Sequence, residues 1–412
     1  MPTRVWVFAS ALVFTLMLGT GQAQPATQRT AFPTVAQLNR FGLEMAWWNQ
    51  ATINAGRNTV RHLTADEQVV YVQTTAGIVT AIDMETGRKL WSIQLGRPDA
   101  PAYPVTSNND LALVLTGLDL FAVNKWFGNV EWHLRMPQQP STSPVMDEDQ
   151  VYVGTLDGSV YAFDLDTIRE LYNEDRLPQW SYQAVNWRFK TGGTVRTPPI
   201  PFGSIVNFAS EDKSLYSVTK EGRDLKFQLE TDARVSASMT ESDGYLFMAS
   251  RDFNVYAVNL LNGKIRWQFV TGVPVLAGPK AVNENLYVTP RRSGLYQLST
   301  ISGRQRWWQP ELTEFVAESE HYTYATNPRG DLVVLDRNTG GIYGLLPLRH
   351  FTKRIPNERT DRVIMATPSG LVMMLHERGQ DYPMYHMNPE NRPLLPEFAP
   401  ETPEEEPEPE QP

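Results

Sequence analysis

A repeat of about 40 residues runs through this chain and constrains its fold more than any other feature. The tetrapeptide Thr80-Ala81-Ile82-Asp83 marks the first unit, and equivalent positions follow at spacings of 41, 40, 55, 40, 40, 37 and 40 residues. These positions are Phe121, Tyr161, Tyr216, Tyr256, Tyr296, Val333 and Met373. Self-similarity at a fixed period is typical of repeat architectures, in which each unit is one supersecondary structure.

Two further markers share this rhythm. Most tetrapeptides lead into a turn that starts with Asp, Asn or Ser and ends four residues later with Gly, and an aromatic residue follows the turn. The glycines include Gly87, Gly128, Gly263 and Gly303, and the aromatic residues are Trp91, Trp132, Trp187, Phe227, Trp267 and Trp307. Gly accepts the positive φ that such a turn needs. We therefore assign these Trp and Gly residues a structural role in the repeat.

The composition of each unit predicts β-strands. Segments such as Val70-Tyr71-Val72 and Val151-Tyr152-Val153 are rich in β-branched and aromatic residues. A unit of about 40 residues with roughly four strands has the size of a propeller blade. The sequence therefore predicts an all-β fold, an eight-bladed β-propeller. A seven-bladed propeller is the alternative, because the seventh unit matches poorly and has Gly344 where Trp is expected.

The two ends of the repeat region are predicted to meet. The eighth unit stops near His376 and has no turn and Trp strand after it. The segment 43–50, LEMAWWNQ, resembles a Trp strand that lacks its own blade. Pairing these segments would remove two exposed sheet edges. We therefore expect the N-terminal strand to complete the last blade.

The repeat pattern resembles that of the pyrroloquinoline-quinone-type (PQQ-like) β-propellers, over about residues 43 to 376. That superfamily includes quinoprotein alcohol dehydrogenases and BamB, the lipoprotein subunit of the outer-membrane β-barrel assembly machinery. The resemblance implies the fold. Because the motif belongs to the scaffold, the resemblance leaves open whether the chain is a BamB-like binding scaffold or an enzyme.

The ends of the chain differ in composition from the repeats. Residues 1–23 resemble a signal peptide, with Arg4, an apolar run of about 15 residues and a cleavage site near Ala23. Residues 24–42 form a polar leader. The tail, 387–412, holds eight Glu and many Pro, and it is predicted to be disordered because it has little apolar surface to bury.

The remaining segment, 43–386, is assigned to the propeller. The spacing of 55 residues in the third unit shows an insertion near 165–185, where a helical turn or two is expected. An excursion on one blade favours contact with a partner, since loops on rigid scaffolds carry function. A tolerated surface insertion is the alternative.

Cysteine usage and charge limit the partners. The chain has no Cys, which excludes disulfides, thiol catalysis and the lipid-anchoring Cys of a lipoprotein. Membrane association is therefore expected to be indirect. Most of the formal net charge of −9 lies in the tail, so the propeller offers no basic field for nucleic acid. We expect a protein partner in the cell envelope and a periplasmic or secreted location.

No catalytic, cofactor-binding or metal-binding residue is predicted. The six His residues have neither HxxxH nor HxH spacing, and no GxSxG or Walker pattern occurs. The vicinal Cys pair of quinoprotein dehydrogenases is missing as well. The enzyme prediction stays uncertain and leans to no. The alternative is a PQQ-dependent dehydrogenase with calcium, or a sensor that binds a small molecule at the propeller axis.

One basic cluster is a candidate partner patch. It consists of Arg291, Arg292, Arg304 and Arg306 in unit six, followed by Arg329 and Arg337 in unit seven. An acidic partner or the Glu-rich tail could bind there, and ordinary solvated charges are the alternative. The sequence thus predicts an exported, non-catalytic scaffold for protein interactions in the cell envelope, with outer-membrane protein assembly as the expected process.

Overall fold

A computed structural model describes residues 32–98, 100–221 and 224–387. The chain divides into two compact units, 1–33 and 34–412, and the repeats belong to the second. The signal peptide, its cleavage site and the tail after Met387 lie outside the described residues, so those predictions stay predictions. Within the described ranges, no helix has both the length and the apolar character that crossing a membrane requires.

The described residues form eight four-stranded antiparallel sheets, each of which is one blade. The strands of the N-terminal half are β1 (Leu43–Gln50), β2 (Val60–Ala65), β3 (Val69–Thr74), β4 (Ile78–Asp83), β5 (Lys89–Gln94), β6 (Thr106–Ser107), β7 (Leu111–Thr116), β8 (Asp119–Asn124), β9 (Val130–Arg135), β10 (Val145–Met146), β11 (Gln150–Gly154), β12 (Ser159–Asp164), β13 (Val185–Lys190), β14 (Ile200–Phe202), β15 (Ile205–Ala209), β16 (Ser214–Thr219) and β17 (Leu225–Glu230).

The C-terminal half continues the same arrangement. Its strands are β18 (Thr240–Ser242), β19 (Tyr245–Ala249), β20 (Asn254–Asn259), β21 (Ile265–Val270), β22 (Lys280–Val282), β23 (Asn285–Val288), β24 (Leu295–Ser299), β25 (Gln305–Gln309), β26 (Glu314–Glu318), β27 (Tyr322–Thr326), β28 (Leu332–Asp336), β29 (Ile342–Leu346), β30 (Lys353–Arg354), β31 (Val363–Ala366) and β32 (Leu371–Glu377). The helices are α1 (Val35–Arg40), α2 (Leu165–Asn173) and a 3-10 turn (Ser181–Ala184).

Blades 1 to 7 each take four consecutive strands, starting with β2–β5 and ending with β26–β29. The first strands of the blades line a central cavity, so the fourth strands are the outer edges. Because strand direction alternates, turns 66–68 and 84–88 lie on one side of the ring, where the Met84 amide donates to the Gln68 carbonyl at 2.8 Å. We call this side the A face. The opposite side, with turns such as 75–77, is the B face.

The N-terminal strand closes the ring, as the sequence predicts. β1 pairs antiparallel with β32, from Leu43 opposite Glu377 to Gln50 opposite Leu371. The eighth blade therefore has the order β1-β32-β31-β30. Closure gives both terminal strands a partner, which removes two exposed edges. The eight-bladed prediction is confirmed, and the seven-bladed alternative is wrong.

A contact between Trp and Gly joins successive blades. The Trp91 indole donates to the Lys125 carbonyl at 2.7 Å and lies against Gly128, whose φ is +80°. A Cβ on Gly128 would come within 2.6 Å of that indole, so the ring takes the space that a side chain would need. The same contact joins Trp47 to Gly87, Phe227 to Gly263, Trp267 to Gly303 and Trp307 to Gly340.

Blade 7 has no Trp of its own for this contact, and Phe41 supplies the missing ring. Gly344 occupies the Trp position of β29, and a Cβ there would lie 2.0 Å from the Phe41 ring. Phe41 follows α1, whose Thr34 cap forms a capping box with Gln37. An aromatic ring from another part of the chain therefore replaces the repeat residue that the sequence lacks.

The core lies between the blades. Inner strands have neighbours on both sides, so β3 is buried at every position from Val69 to Thr74. Outer strands alternate, as β1 shows with Trp47 buried and Trp48 exposed. Each fully buried Val, Leu, Ile or Phe side chain contributes about 1.5–3 kcal/mol to folding. The apolar interfaces between blades therefore supply most of the driving force for closing the ring.

Candidate functional site

The insertion of blade 3 is a folded element that packs on blade 2. Asp164 caps α2 by accepting a hydrogen bond from the Thr167 amide at 2.7 Å. The buried side of α2 consists of Leu165, Ile168 and Leu171, which share an apolar cluster with Trp132. Where other blades cover the preceding Trp with a Gly turn, this blade uses a helix.

The outer side of the insertion exposes aromatic residues. Trp180 is 41% exposed and Tyr182 is 60% exposed, and their ring centroids are 5.9 Å apart. The Arg176 guanidinium lies 5.1 Å from the Trp180 ring and donates to Gln183 at 2.7 Å. Tyr172, which is 46% exposed, lies in the last turn of α2, four residues before Arg176. We call Tyr172, Arg176, Trp180 and Tyr182 the insertion patch.

The chemistry of the insertion patch suits protein recognition. Trp, Tyr and Arg are the residue types that dominate binding energy at protein interfaces. Trp and Tyr offer a large flat surface with few rotatable bonds and a polar atom for hydrogen bonds, and Arg adds a planar guanidinium with several donors. Contacts between Arg176, Trp180 and Tyr182 hold these three side chains in place, and such pre-organisation lowers the entropy cost of binding.

A second candidate site is the cavity on the propeller axis. Its volume is about 610 Å³, which lies in the range of small-molecule pockets. The walls are largely apolar and include Val105, Val145, Ile200, Met239 and Ile355. Proline side chains from the links between blades line much of the rest. The shape suits a small molecule with an apolar body.

Three carboxylates line the cavity. Asp66 pairs with Lys125 at 2.9 Å, and Glu358 pairs with Lys280 at 3.1 Å. Glu241 accepts a hydrogen bond from the Gly244 amide, and burial raises its pKa. Calcium prefers six to eight oxygen ligands with several free carboxylates. Because two of the three carboxylates already have cationic partners, this set is a poor match for calcium.

The C-terminal strap, residues 378–387, crosses the A-face mouth of the cavity. The His386 amide donates to the Arg359 carbonyl at 2.7 Å, and its Nε2 is 3.1 Å from the Glu318 carbonyl. Burial, with a smaller contribution from the charge of the nearby Arg337, lowers the pKa of His386 to about 4. Met387 lines the cavity itself. The strap therefore narrows the opening on this face.

The predicted Trp and Gly repeat residues lie between blades rather than in the cavity. The indole nitrogens of Trp187, Trp267 and Trp307 donate to carbonyls of the following blade at 2.7, 2.8 and 3.0 Å. Trp132 is covered by the insertion. Among the described residues that line the cavity there is no Trp.

The predicted arginine patch is divided between the two faces. Arg291 and Arg292 lie in the turn between β23 and β24, on the B face. Arg304 and Arg306 lie before and within β25 on the A face, where Arg306 pairs with Glu284 at 3.3 Å. The Arg291–Arg292 pair and the Arg304–Arg306 pair therefore lie at opposite ends of β24. The structure therefore does not bring the four residues together.

The sequence did not identify the residues of the insertion patch or those that line the axial cavity. For the patch, a signal exists: Tyr172, Trp180 and Tyr182 lie in the one long spacing of the repeat, outside any repeat position. Aromatic residues without a scaffold role on an insertion are candidates for recognition. The cavity has no such signal, because its walls come from short strands of several blades.

The architecture and the repeat define the class of this protein, a PQQ-like repeat β-propeller with eight blades. The chain matches the profile of the family described as "Outer membrane protein assembly factor BamB" over residues 5–180, 174–274 and 251–381. The protein belongs to this family. At the family level this supports a protein-interaction scaffold with partners in the cell envelope.

Solved structures show the same fold. BamB from Moraxella catarrhalis aligns with a TM-score of 0.63 at 12% identity, over 82% of this chain and 98% of its own. The computationally designed Ika8 protein aligns with a TM-score of 0.63 at 13% identity, over 80% of this chain and 100% of its own. A search of curated protein sequences gives no match. At these identities the structural similarity shows the fold alone.

Proposed function

We propose that the chain is an exported, non-catalytic scaffold that binds a protein partner in the cell envelope and takes part in outer-membrane protein assembly. The family description, an outer membrane protein assembly factor, supports the process. The insertion patch supports the mode of action, because it is the exposed cluster of Trp, Tyr and Arg on this propeller's one long insertion. That patch is the observation that carries the proposal.

The proposed docking surface is the insertion patch. Its rings are pre-positioned by the Arg176 contact with Trp180 and by the packing of α2 on Trp132. Truncating one well-packed aromatic anchor at an interface typically costs about 2 kcal/mol or more. Loss of Trp180 and Tyr182 together is therefore expected to weaken partner binding at least about thirtyfold.

Crosslinking in the native envelope tests this proposal. A photo-crosslinking residue replaces Tyr182 in the full chain, and the products are identified by mass spectrometry. We expect outer-membrane assembly components among the products. In a parallel pull-down, the double variant Trp180→Ala and Tyr182→Ala should recover far less of them than the wild type. Leu261→Ala is the matched control, because Leu261 is 82% exposed on the turn of blade 5.

Two results would contradict the proposal. If the wild-type chain recovers no assembly component, the proposed role in outer-membrane protein assembly is wrong. If the double variant recovers as much as the wild type, the insertion patch is not the docking surface. Circular dichroism of each variant shows whether the fold is kept. Because the replaced side chains are partly exposed, the propeller should stay folded.

We also propose that the chain works without PQQ and calcium. What supports this is the cavity lining, with its apolar walls and two carboxylates that are already paired. The test is to add PQQ and calcium to the purified full chain and to record the absorbance of the quinone. We expect an unchanged spectrum and no reduction of a dye. A saturable spectral shift would restore the alternative of an enzyme or sensor at the axis.

A further inference from the structure

The outer strand of blade 7 differs from the other seven outer strands in its charge. Each of the others carries at least one charged side chain, and β29, with the sequence IYGLL, carries none. The charged residues are Glu44, Lys89, Glu131, Arg135, Arg188, Lys190, Lys226, Glu230, Arg266 and Arg306. Charged residues on an edge strand oppose pairing with further strands. β29 lacks this protection.

The same strand presents apolar side chains to solvent. Ile342 is 54% exposed, Tyr343 is 57% exposed and Leu345 is 45% exposed. Tyr343 takes the position before the Trp slot, where β21 has Arg266 and β25 has Arg306. Its ring lies 5.4 Å from that of Tyr322, which holds it beside the edge. β29 is therefore an apolar edge without the charged side chains that the other outer strands carry.

The outer side of β29 has no strand partner in the described chain. β29 pairs with β28 alone and stands at the end of the sheet order of blade 7. Half of the backbone amide and carbonyl groups of an edge strand point away from the sheet. An extended peptide can bind to such groups as an additional strand, with its side chains in contact with those of the edge.

We propose that the outer edge of β29 is a docking site that adds an extended, uncharged segment of a partner protein to blade 7 as a fifth strand. Backbone hydrogen bonds provide the affinity, and the exposed side chains of Ile342, Tyr343 and Leu345 favour apolar side chains on the segment. The inference deepens the scaffold function proposed above and rests on it only for the existence of a protein partner.

A second copy of this chain is the less suitable occupant. β29 has five residues, about 17 Å of strand, and it lies on the convex rim of the ring. Edge-to-edge contact of two such rims buries little area, whereas a stable dimer needs about 800 Å² on each partner. A flexible segment can follow the rim and add side-chain contacts on both sides of the edge. The geometry therefore favours a peptide segment.

Binding of a model peptide to the full chain tests the site. The probe is a fluorescein-labelled peptide of alternating Thr and Val, and the readout is fluorescence anisotropy. We expect saturable binding, and protection of the amides of residues 342–346 from hydrogen exchange. The same peptide with an N-methyl group on every residue has no N–H donor on either edge and cannot form the ladder of hydrogen bonds, so it should bind at least about tenfold more weakly.

Two variants locate the site. Tyr343→Arg restores the charge that β21 and β25 carry at this position, and we expect a loss of affinity of about tenfold or more. Val270→Arg places the same charge on the edge of β21, where Val270 is 67% exposed, and should leave the affinity unchanged. Thermal unfolding shows whether both variants stay folded, and the N-methylated peptide tests the wild type independently of them.

The possible results separate this inference from the proposed function. No saturable binding, equal binding of the N-methylated peptide, or an unchanged affinity of a folded Tyr343→Arg variant would overturn the edge site. If assembly components are still recovered through the insertion patch in that case, only the edge site is lost. If the peptide binds at β29 and the envelope experiment recovers no assembly component, the edge site stands and the proposed function fails.

Discussion

At the scale of single residues, the contact between Phe41 and Gly344 shows how the ring tolerates a defective repeat. The other seven outer strands place a Trp or Phe at this position, and in blade 7 a ring from another segment occupies the same space. Phe41 comes from a segment about 300 residues away in sequence and fills the place of the missing Trp. The pair is therefore a local exception that preserves the general packing.

This pair gives a prediction about stability. A Cβ on Gly344 would lie 2.0 Å from the Phe41 ring, so Gly344→Ala should lower the free energy of unfolding by about 1–3 kcal/mol. In a Phe41→Ala background the same substitution should cost much less, because the clash is gone. Urea denaturation of the four proteins of this double-mutant cycle measures the coupling. Additive effects would contradict the contact.

His386 gives a prediction about pH. Its pKa in the folded chain is about 4, below the ordinary 6.5, chiefly because of burial. The docked strap therefore binds the neutral imidazole, and its stability is complete above pH 6.5 and is lost as the pH falls toward 4. The full effect is roughly 3 kcal/mol.

Hydrogen exchange of residues 378–387 between pH 7 and pH 4, corrected for the intrinsic pH dependence, measures this effect. We expect protection to fall with pH in the wild type and to change much less in His386→Gln, which does not titrate in this range. An equal loss of protection in both proteins would assign the effect to another group.

Sequence patterns predict some of these residues and miss others. The Trp and Gly positions recur at fixed distances, so periodicity finds them, and the structure places them in repeated contacts. Phe41 has no such signal, because its role depends on a neighbour that is close only after the ring has closed. The low pKa of His386 likewise has no sequence signal, because it follows from burial in the folded chain and from the charge of Arg337, which is distant in sequence.

At the scale of elements, the insertion of blade 3 replaces a turn with a helix and keeps the preceding Trp covered. The spacing of 55 residues indicates where the insertion lies, and the sequence favours a short helix there. The structure has α2 at this position. The side of α2 that is buried depends on its contact with Trp132 of the preceding blade. The sequence pattern of α2 does not show this contact.

Grafting separates the structural role of the insertion from its binding role. Residues 165–184 are replaced by residues 260–264, the turn of blade 5, which supplies a Gly for Trp132. We expect the propeller to fold with a melting temperature within about 5 °C of the wild type. The same protein should lose the crosslinks to assembly components. A collapse of the melting temperature would show that α2 is needed for folding.

At the scale of the whole molecule, the closing strand joins the two ends of the chain. The repeat count and the orphan Trp strand are visible in the sequence, so both the number of blades and the closure can be predicted from it. The eight-bladed ring follows because unit seven keeps its strands even though Gly344 lacks the Trp ring. The axial cavity could not be predicted, because it depends on how the first strands converge.

Removing the closing strand should destabilise the entire ring. A chain that starts at Ala51 lacks β1 and Trp47, whose indole donates to the Met84 carbonyl at 2.6 Å. We expect its melting temperature to fall by about 10 °C or more, with aggregation through the exposed edge of β32. Differential scanning calorimetry and light scattering measure both effects. A chain that starts at Thr34 keeps β1 and is the matched control.

The pairing of β1 with β32 also sets an order in time. A ribosome delivers the N-terminal strand first and its partner only after more than three hundred further residues. At about 5–20 residues per second, β1 waits on the order of 15–60 s for β32. During that interval the earlier blades can already stack, but the first strand remains an open apolar edge. The ring therefore cannot close until the last strand has been made.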